Sequence, residues 1–360
     1  MTTFRGRRAA RLENGRLRVT VLAGGGHIAE ISRLDQPVNP LWEPPWPSIE
    51  PGDYDPKRHP DYGAPAEARL LASIMGHNLC LDFFGPPSEN EIGGGLTAHG
   101  EAPVVDWELV LQPDGRLRAS AELPLSQIRV ERLLRLAPGA DVLVITETVH
   151  NLSSFDRPIG WTQHVTLGPP FVAPGRTTFQ TTAQRSRVFE GDFGAGKGLQ
   201  ASGADFNWPH CPARHGGFLD LRATTTAPVS AGYTAHLMDP SREQAWFTAF
   251  HPDLRLVFGY LWRRADFPWL GIWEENHSRE PAPWLGRTLT RGMEFGVSPM
   301  PETRRQMVER GPLFGAPTCL WMGAHDCLTV EYCAFLQRAE EPVTPVTWTG
   351  DEVITRAGHD

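Results

Sequence analysis

VVDWELVLQPDGRLRASAELPLSQIRVERLLRLAPGADVLVITETVHN, residues 104–151, is the stretch that decides the fold class. Apolar and polar residues alternate along most of it, which is the pattern of β-strands with one buried face. Pro113-Asp114-Gly115 and Pro138-Gly139 provide turn chemistry between strands. Runs of strands without intervening helices favour a sandwich over a parallel α/β sheet. The predicted strands are 104–112, 115–123, 127–136 and 141–151.

The same pattern continues towards both ends of the chain. Residues 17–23 and 27–33 predict a hairpin across Gly24-Gly25-Gly26. Only 68–76 and 301–310 predict short helices, so the chain is expected to be rich in strand and poor in helix. Residues 36–66, rich in Pro, Trp and Asp, predict a long irregular segment, and such segments are usually functional. Further strands are predicted at 216–224, 231–239, 254–262, 268–275, 319–323 and 328–336.

Composition excludes several classes of protein. Hydrophobic residues make up 40% of the 360 and charged residues 21%, so the chain can bury a core. Without a composition break or a repeat, one domain over 1–360 is expected. The net charge of −8 argues against a nucleic-acid partner, and the arginine-containing start, 5–11, is expected to be solvated. No signal peptide or long apolar run is visible, so a cytoplasmic protein with no membrane partner is expected.

Three ionisable residues lie beside a glycine or in a β-like run. They are His99 in LTAHGEA, His164 in WTQHV and Glu294 in RGMEFG. Opening a sugar ring requires removal of a proton from the C1 hydroxyl and delivery of one to the ring oxygen. A carboxylate and an imidazolium can do both near neutral pH, and a second imidazole can hold a hydroxyl in place. Each residue taken alone is more simply explained as structural, whereas the set is suited to sugar chemistry.

Taken in order, these segments resemble the aldose 1-epimerase (galactose mutarotase-like) family. GGLTAHGEAPVVDWEL resembles its His-Gly motif, TETVHNLSSFDRPIGWTQHV its second histidine, and GMEFG its glutamate-bearing strand. The resemblance implies an all-β fold, the galactose mutarotase-like β-supersandwich. It implies His164 as general acid, Glu294 as general base and His99 as a substrate-positioning residue.

Further substrate-binding candidates follow from the resemblance and from the aromatic content. Gly76-His77-Asn78 stands where the family has an Arg/Asn-bearing segment, so His77 and Asn78 are candidates. Glu101 follows the His-Gly motif, where an apolar residue is usual. Aromatic rings pack on the C–H faces of sugars, and the chain has 12 tryptophans. The remaining candidates are Trp161, Trp273 and Trp42 at the rim of the cleft, and Arg287 as an added cation.

The sequence therefore predicts an isomerase that interconverts the α and β anomers of a hexose without a cofactor or metal. Two alternatives stay open. One is a carbohydrate-binding or sugar-sensing protein on the same fold without turnover. The other is a metal-dependent sugar enzyme that uses His99, Glu101 and His164 as ligands. In each case the expected partner is a small-molecule sugar, and the sequence does not decide between a monomer and a homodimer.

Overall fold

The computed structural model describes residues 2–357, and strands dominate it. It contains 46% strand and 6% helix, which confirms the prediction of a β-rich chain with little helix. Met1 and residues 358–360, the two ends of the predicted domain, lie outside the described residues. No helix in the described range is long and apolar enough to cross a bilayer.

The elements follow one another in chain order. The strands are β1 (Thr2–Phe4), β2 (Arg7–Glu13), β3 (Leu17–Leu22), β4 (Ile28–Arg33), β5 (His77–Asp82), β6 (Glu108–Leu111), β7 (Leu117–Leu123), β8 (Ile128–Leu136), β9 (Val142–Asn151), β10 (Arg157–Leu167), β11 (Thr178–Thr181), β12 (Ala183–Val188), β13 (Asp205–Asn207), β14 (His210–Pro212), β15 (Phe218–Asp220), β16 (Ser230–Met238), β17 (Gln244–His251), β18 (Leu256–Arg263), β19 (Trp269–Asn276), β20 (Leu289–Gly296), β21 (Leu320–Met322), β22 (Cys327–Arg338), β23 (Val343–Trp348) and β24 (Val353–Ala357). The helices are α1 (Ala68–Ser73), α2 (Glu89–Gly93) and α3 (Arg304–Glu309), and single 3₁₀ turns span Pro51–Asp53 and Ala102–Val104.

Two large antiparallel sheets carry the architecture. The larger runs β1-β2-β3-β4-β5-β10-β20-β19-β16-β12-β13, with β21 paired to β10 outside this path. The smaller runs β11-β17-β18-β22-β9-β8-β7-β6. Two separate hairpins, β14-β15 and β23-β24, complete the strand pairing among residues 2–357. In the smaller sheet, β7, β8 and the second half of β9 alternate in sequence because one face of each is buried and the other is more exposed.

Apolar side chains pack in three layers. The first lies between the sheets and includes Val19 and Val165 from the larger sheet with Val130 and Phe258 from the smaller. The second covers the outer face of the larger sheet, where the irregular segment and α1 pack on β16 and β19. The third lies between the outer face of the smaller sheet and the β23-β24 hairpin. The larger sheet is therefore buried on both faces, and its outer layer consists mainly of loops.

The predicted elements are observed with changed bounds, and several strands, among them β2, β5, β17, β23 and β24, were not predicted by the alternating pattern. The predicted strand 104–112 is shortened to β6, because residues 102–104 form a 3₁₀ turn. The predicted helices 68–76 and 301–310 are shortened to α1 and α3. The helix α2 was missed, although Ser88 and Glu91 form a capping box at its start. The expectation of a solvated 5–11 holds for its other arginines, which are exposed, but is wrong for Arg7, which is buried in β2 and donates to the carbonyl oxygens of Ser73 and Gly24.

Candidate functional site

Asn78, His164 and Glu294 lie side by side across the larger sheet. His164 on β10 is the register partner of Asn78 on β5 and of Glu294 on β20. Directly paired residues of neighbouring strands project to the same face of a sheet. The three side chains therefore form one row on the outer face, under the loop layer. Strand pairing thus brings together residues that are more than 200 positions apart in the sequence.

The carboxylate of Glu294 is in contact with the imidazole of His164. The Glu294 Oε1 lies 3.0 Å from His164 Nε2. Both side chains are almost fully buried, and Glu294 Oε1 has no directed hydrogen bond from any residue in 2–357. Gly292, two residues earlier on β20, makes room for the carboxylate, since a Cβ there would lie 2.3 Å from Oε1. The site therefore presents a buried carboxylate oxygen beside His164 that receives no aligned hydrogen bond from the described residues.

The other ring nitrogen of His164 is held by two neighbours. Its Nδ1 lies 3.0 Å from Thr166 Oγ1 and 3.3 Å from Asn78 Nδ2. In this arrangement the amide donates to Nδ1, so the proton of the neutral ring is on Nε2, the nitrogen beside Glu294. Rotation of the amide by a half-turn would place the Asn78 oxygen against Nδ1 instead. Asn78 can therefore match either protonation state of His164.

His99 reaches the same place from a loop. Its ring centroid lies 4.6 Å from that of His164. The residue keeps some exposure, but its Nδ1 is buried and has no hydrogen-bond partner among the described residues. Enclosure by protein, together with the nearby His164 and His27, lowers the pKa of His99 well below the ordinary imidazole value. His99 is therefore neutral and suited to hydrogen bonding rather than to proton delivery.

His99, His164 and Glu294 line a cavity of about 180 Å³, whereas Asn78, a predicted substrate-binding residue, contacts His164 but is not among the lining residues. Trp273, which was predicted to line the cleft, does so, and its ring centroid lies 6.1 Å from that of His164. Trp42 does not line this cavity; it is buried behind Trp284, against which it stacks with 6.2 Å between the ring centroids. The cavity residues that the sequence reasoning missed are Glu67, Phe84, Phe193, Tyr233, Arg279 and Trp284.

Buried polar atoms without partners collect around this cavity. Besides Glu294 Oε1 they include His99 Nδ1 and Trp273 Nε1, whose residues line the cavity, and Asn78 Oδ1 on the neighbouring strand; none of them has a hydrogen-bond partner among residues 2–357. Buried polar groups in proteins are nearly always satisfied, and leaving one unpaired costs about 1–3 kcal/mol. A cluster of both donors and acceptors is what a ligand with several hydroxyl groups would satisfy.

Two predicted substrate-binding residues lie on the other face of the sheet, between the two sheets. His77 Nε2 donates to Gln163 Oε1 at 3.0 Å, and Tyr260 Oη donates to His77 Nδ1 at 2.9 Å. Trp161 donates its indole N–H to Glu147. His77 and Trp161 therefore belong to a polar network in the inter-sheet core and do not line the cavity.

Two further candidates also lie outside the cavity. The Glu101 carboxylate accepts the backbone N–H groups of Leu125 and Ser126, at 3.2 and 2.6 Å. Arg287 is exposed and is not among the residues that line the cavity. The proposed metal ligand trio of His99, Glu101 and His164 is therefore not assembled. Within residues 2–357, no group of three His, Cys, Asp or Glu side chains is placed to hold a metal ion.

The fold, in contrast to the sequence, has known counterparts. No protein-family model matches this chain, and no curated protein sequence does. A candidate aldose 1-epimerase from Klebsiella pneumoniae superposes with a TM-score of 0.64 at 12% identity, over 90% of this chain and 77% of that one. One from Escherichia coli K12 gives 0.62 at 16% identity, over 92% and 100%. A galactose mutarotase-like protein from Clostridium acetobutylicum gives 0.61 at 11% identity, over 94% and 97%. At such identities the likeness concerns the fold alone: this chain has the β-supersandwich fold of the galactose mutarotase-like proteins.

Proposed function

We propose that this protein is an aldose 1-epimerase-like isomerase that interconverts the α and β anomers of a hexose. The observation that supports it most is the contact of the buried Glu294 Oε1 with His164 Nε2 at 3.0 Å, inside a cavity with an aromatic wall. A carboxylate and an imidazole in contact can act as base and acid on two oxygens bonded to the same carbon. The anomeric carbon of a sugar is bonded to two oxygens, that of its hydroxyl and that of the ring.

In this scheme Glu294 takes the proton of the C1 hydroxyl as the ring opens. His164, protonated, delivers a proton from Nε2 to the ring oxygen, and the bond between C1 and that oxygen breaks. Rotation of the aldehyde about the C1–C2 bond and the reverse proton transfers then close the ring as the other anomer. Thr166 and Asn78 hold the ring of His164 through Nδ1. His99, being neutral, positions a hydroxyl, and Trp273 supplies an apolar face.

Polarimetry on freshly dissolved α-glucose and α-galactose tests this function. Glu294→Gln preserves shape and removes the base, so mutarotation should fall about 10²–10⁴-fold, the usual loss for a general base. His164→Gln should lose a similar factor. His99→Asn should weaken sugar binding, measured by calorimetry, because its role is positioning.

The exposed Glu340→Gln variant is a control that should keep the parent rate, since Glu340 pairs with Arg255 on the surface. Sugar binding without any mutarotation would instead identify a carbohydrate-binding protein. A Glu294→Gln variant with the parent rate would show that the base is another residue.

A further inference from the structure

The cavity at His164 adjoins a second, larger one. The inner cavity measures about 180 Å³, and the outer one about 680 Å³. Glu67, Phe193, Arg279 and Trp284 line both, so the two are adjoining parts of one cleft. Small-molecule sites usually occupy about 300–1,000 Å³, which the inner cavity alone does not reach.

The outer cavity is lined by charged groups that already have partners. Lys197 Nζ lies 2.8 Å from Glu280 Oε1 and donates to the carbonyl oxygen of Ser278 at 2.8 Å. The Arg279 guanidinium lies 4.5 Å from the Trp284 ring centre and within 4.0 Å of Glu67. Two cations and two acids therefore balance each other along this wall. Such a wall favours a neutral polar ligand over a phosphate or a carboxylate.

Phe193 provides the aromatic surface where the two cavities meet. Its ring stacks on Tyr233, with 5.7 Å between the ring centroids, and the residue is only half-buried. A half-buried ring beside fixed N–H and carboxylate groups offers an apolar face and hydrogen bonds together, which suits a pyranose. The outer cavity thus has the chemistry of a second sugar subsite.

We infer that the preferred substrate is a reducing oligosaccharide, whose reducing-end residue occupies the inner cavity while the next sugar occupies the outer one. This inference rests on the proposed function, because it places the anomeric carbon at Glu294 and His164. The rest of the sugar must then extend towards the opening, and the adjoining cavity at Phe193 provides the space.

The test compares mutarotation of glucose with that of maltose, cellobiose and isomaltose. For the wild-type protein, kcat/KM for the best disaccharide should exceed that for glucose by about tenfold or more, an added binding term of about 1.4 kcal/mol. This ratio tests the inference without any variant. Equal values, or a preference for glucose, would overturn it.

A blocking variant locates the subsite. The side chain of Ala64 is exposed and lines the outer cavity only, while its carbonyl oxygen accepts the N–H groups of Glu67 and Ala68. Ala64→Trp should fill the outer cavity and bring the disaccharide-to-glucose ratio down to about one, with glucose turnover unchanged. Ala64→Ser, which keeps the space open, should retain the wild-type ratio.

The outcomes separate the two proposals. Turnover of glucose with no disaccharide preference would contradict the second subsite and leave the proposed function standing. A disaccharide preference that survives in Ala64→Trp would also contradict this location of the subsite. A lack of mutarotation with every sugar would refute the proposed function, and the substrate inference with it.

Discussion

His99 is held over the cavity by two successive residues with left-handed backbone. Its φ is +68° and that of Gly100 is +79°. A side chain at position 100 would not fit, since a Cβ there would lie 2.2 Å from the carbonyl oxygen of Leu81. Left-handed backbone is unfavourable for a residue other than glycine, by about 1–3 kcal/mol, and such residues concentrate at functional sites. The His-Gly pair is thus explained by the turn that carries the imidazole to His164.

Asn78 gives a prediction about the pH dependence of the rate. Asn78→Asp would place a carboxylate at about the position of the amide, 3.3 Å from His164 Nδ1. A nearby negative charge favours a protonated imidazole. If His164 acts as the acid, the alkaline limb of the mutarotation rate should move to higher pH in this variant. The measurement is the rate as a function of pH for the variant and the wild type.

A neutral replacement of Asn78 distinguishes the effect of an added negative charge from the effect of losing the amide. Asn78→Ala removes the amide without adding a charge, so it should lower the rate while the alkaline limb stays closer to that of the wild type. Superimposable pH profiles for Asn78→Asp and the wild type would contradict the role assigned to His164.

At the scale of the elements, β8, β9, β10 and β22 are tied together by a buried polar network. Arg132 forms an ion pair with Glu147, and both are almost fully buried. Gln163 Oε1 accepts from Arg132 Nη2 at 3.0 Å and from Tyr332 Oη at 2.9 Å. This network links the larger sheet, through β10, to the smaller sheet.

Removing one partner of the buried ion pair should be costly. Glu147→Gln would leave the Arg132 guanidinium without a counter-charge between the sheets. The free energy of unfolding should fall by about 3–5 kcal/mol, the usual cost of an unpaired buried charge. Urea unfolding followed by tryptophan fluorescence measures it.

The matched control is a surface pair. Glu340 and Arg255 form an ion pair whose side chains are 73% and 62% exposed. Glu340→Gln should change the free energy of unfolding by less than about 1 kcal/mol, because water screens an exposed pair. If both variants lost the same free energy of unfolding, the buried ion pair between the sheets would contribute no more to stability than the exposed one.

The alternating pattern predicted 12 of the 24 strands among residues 2–357, and it carried no prediction of their register. Alternation identified β3, β7, β8 and β9 because each has a buried face. Strand geometry places side chains an odd number of positions apart on opposite faces, and Trp161 and His164 are three positions apart on β10. His77 and Asn78, as neighbours on β5, are separated in the same way.

Other parts of the site had no sequence signal. Arg279 and Trp284 lie in the loop after β19, where no periodicity indicates which way a side chain points. The pairing of β10 with β20 joins segments over 100 residues apart, and pattern alone does not fix such a register. The sequence predicted that His164 and Glu294 lie close together, as they do, while the aromatic wall around them depended on the tertiary fold.

At the scale of the whole molecule, buried histidines should make the fold sensitive to acid. His27, His77 and His236 are fully buried. Burial lowers the pKa of each, and that of His236 reaches about 3. Below the unfolded-state value of about 6.5, the unfolded chain therefore binds protons that the folded chain does not. The free energy of unfolding should fall as the pH drops below about 6.5, by up to about 1.4 kcal/mol per pH unit for each such histidine.

His236 allows this acid sensitivity to be measured. His236→Gln removes one titrating group, so the slope of the free energy of unfolding between about pH 6 and pH 4 should be shallower by about 1.4 kcal/mol per pH unit. His215→Gln, at an exposed position, is the control and should keep the wild-type slope. An unchanged slope for His236→Gln would mean that this ring is protonated in the folded state.

His164 and Glu294 lie on central strands, and this position has a consequence for amide hydrogen exchange. It determines which amides a bound ligand can protect from exchange with deuterium in the solvent. β10 and β20 have hydrogen-bonded neighbours on both sides, whereas Phe193, Arg279 and Trp284 lie in loops. Amides in central strands exchange only through large-scale opening, and loop amides exchange through local fluctuations. A bound sugar would thus slow exchange in the loops that form the cavity wall while changing little in the strands beneath it. The strands that carry His164 and Glu294 are held by hydrogen-bonded neighbours on both sides, so any ordering that accompanies binding should fall on the wall.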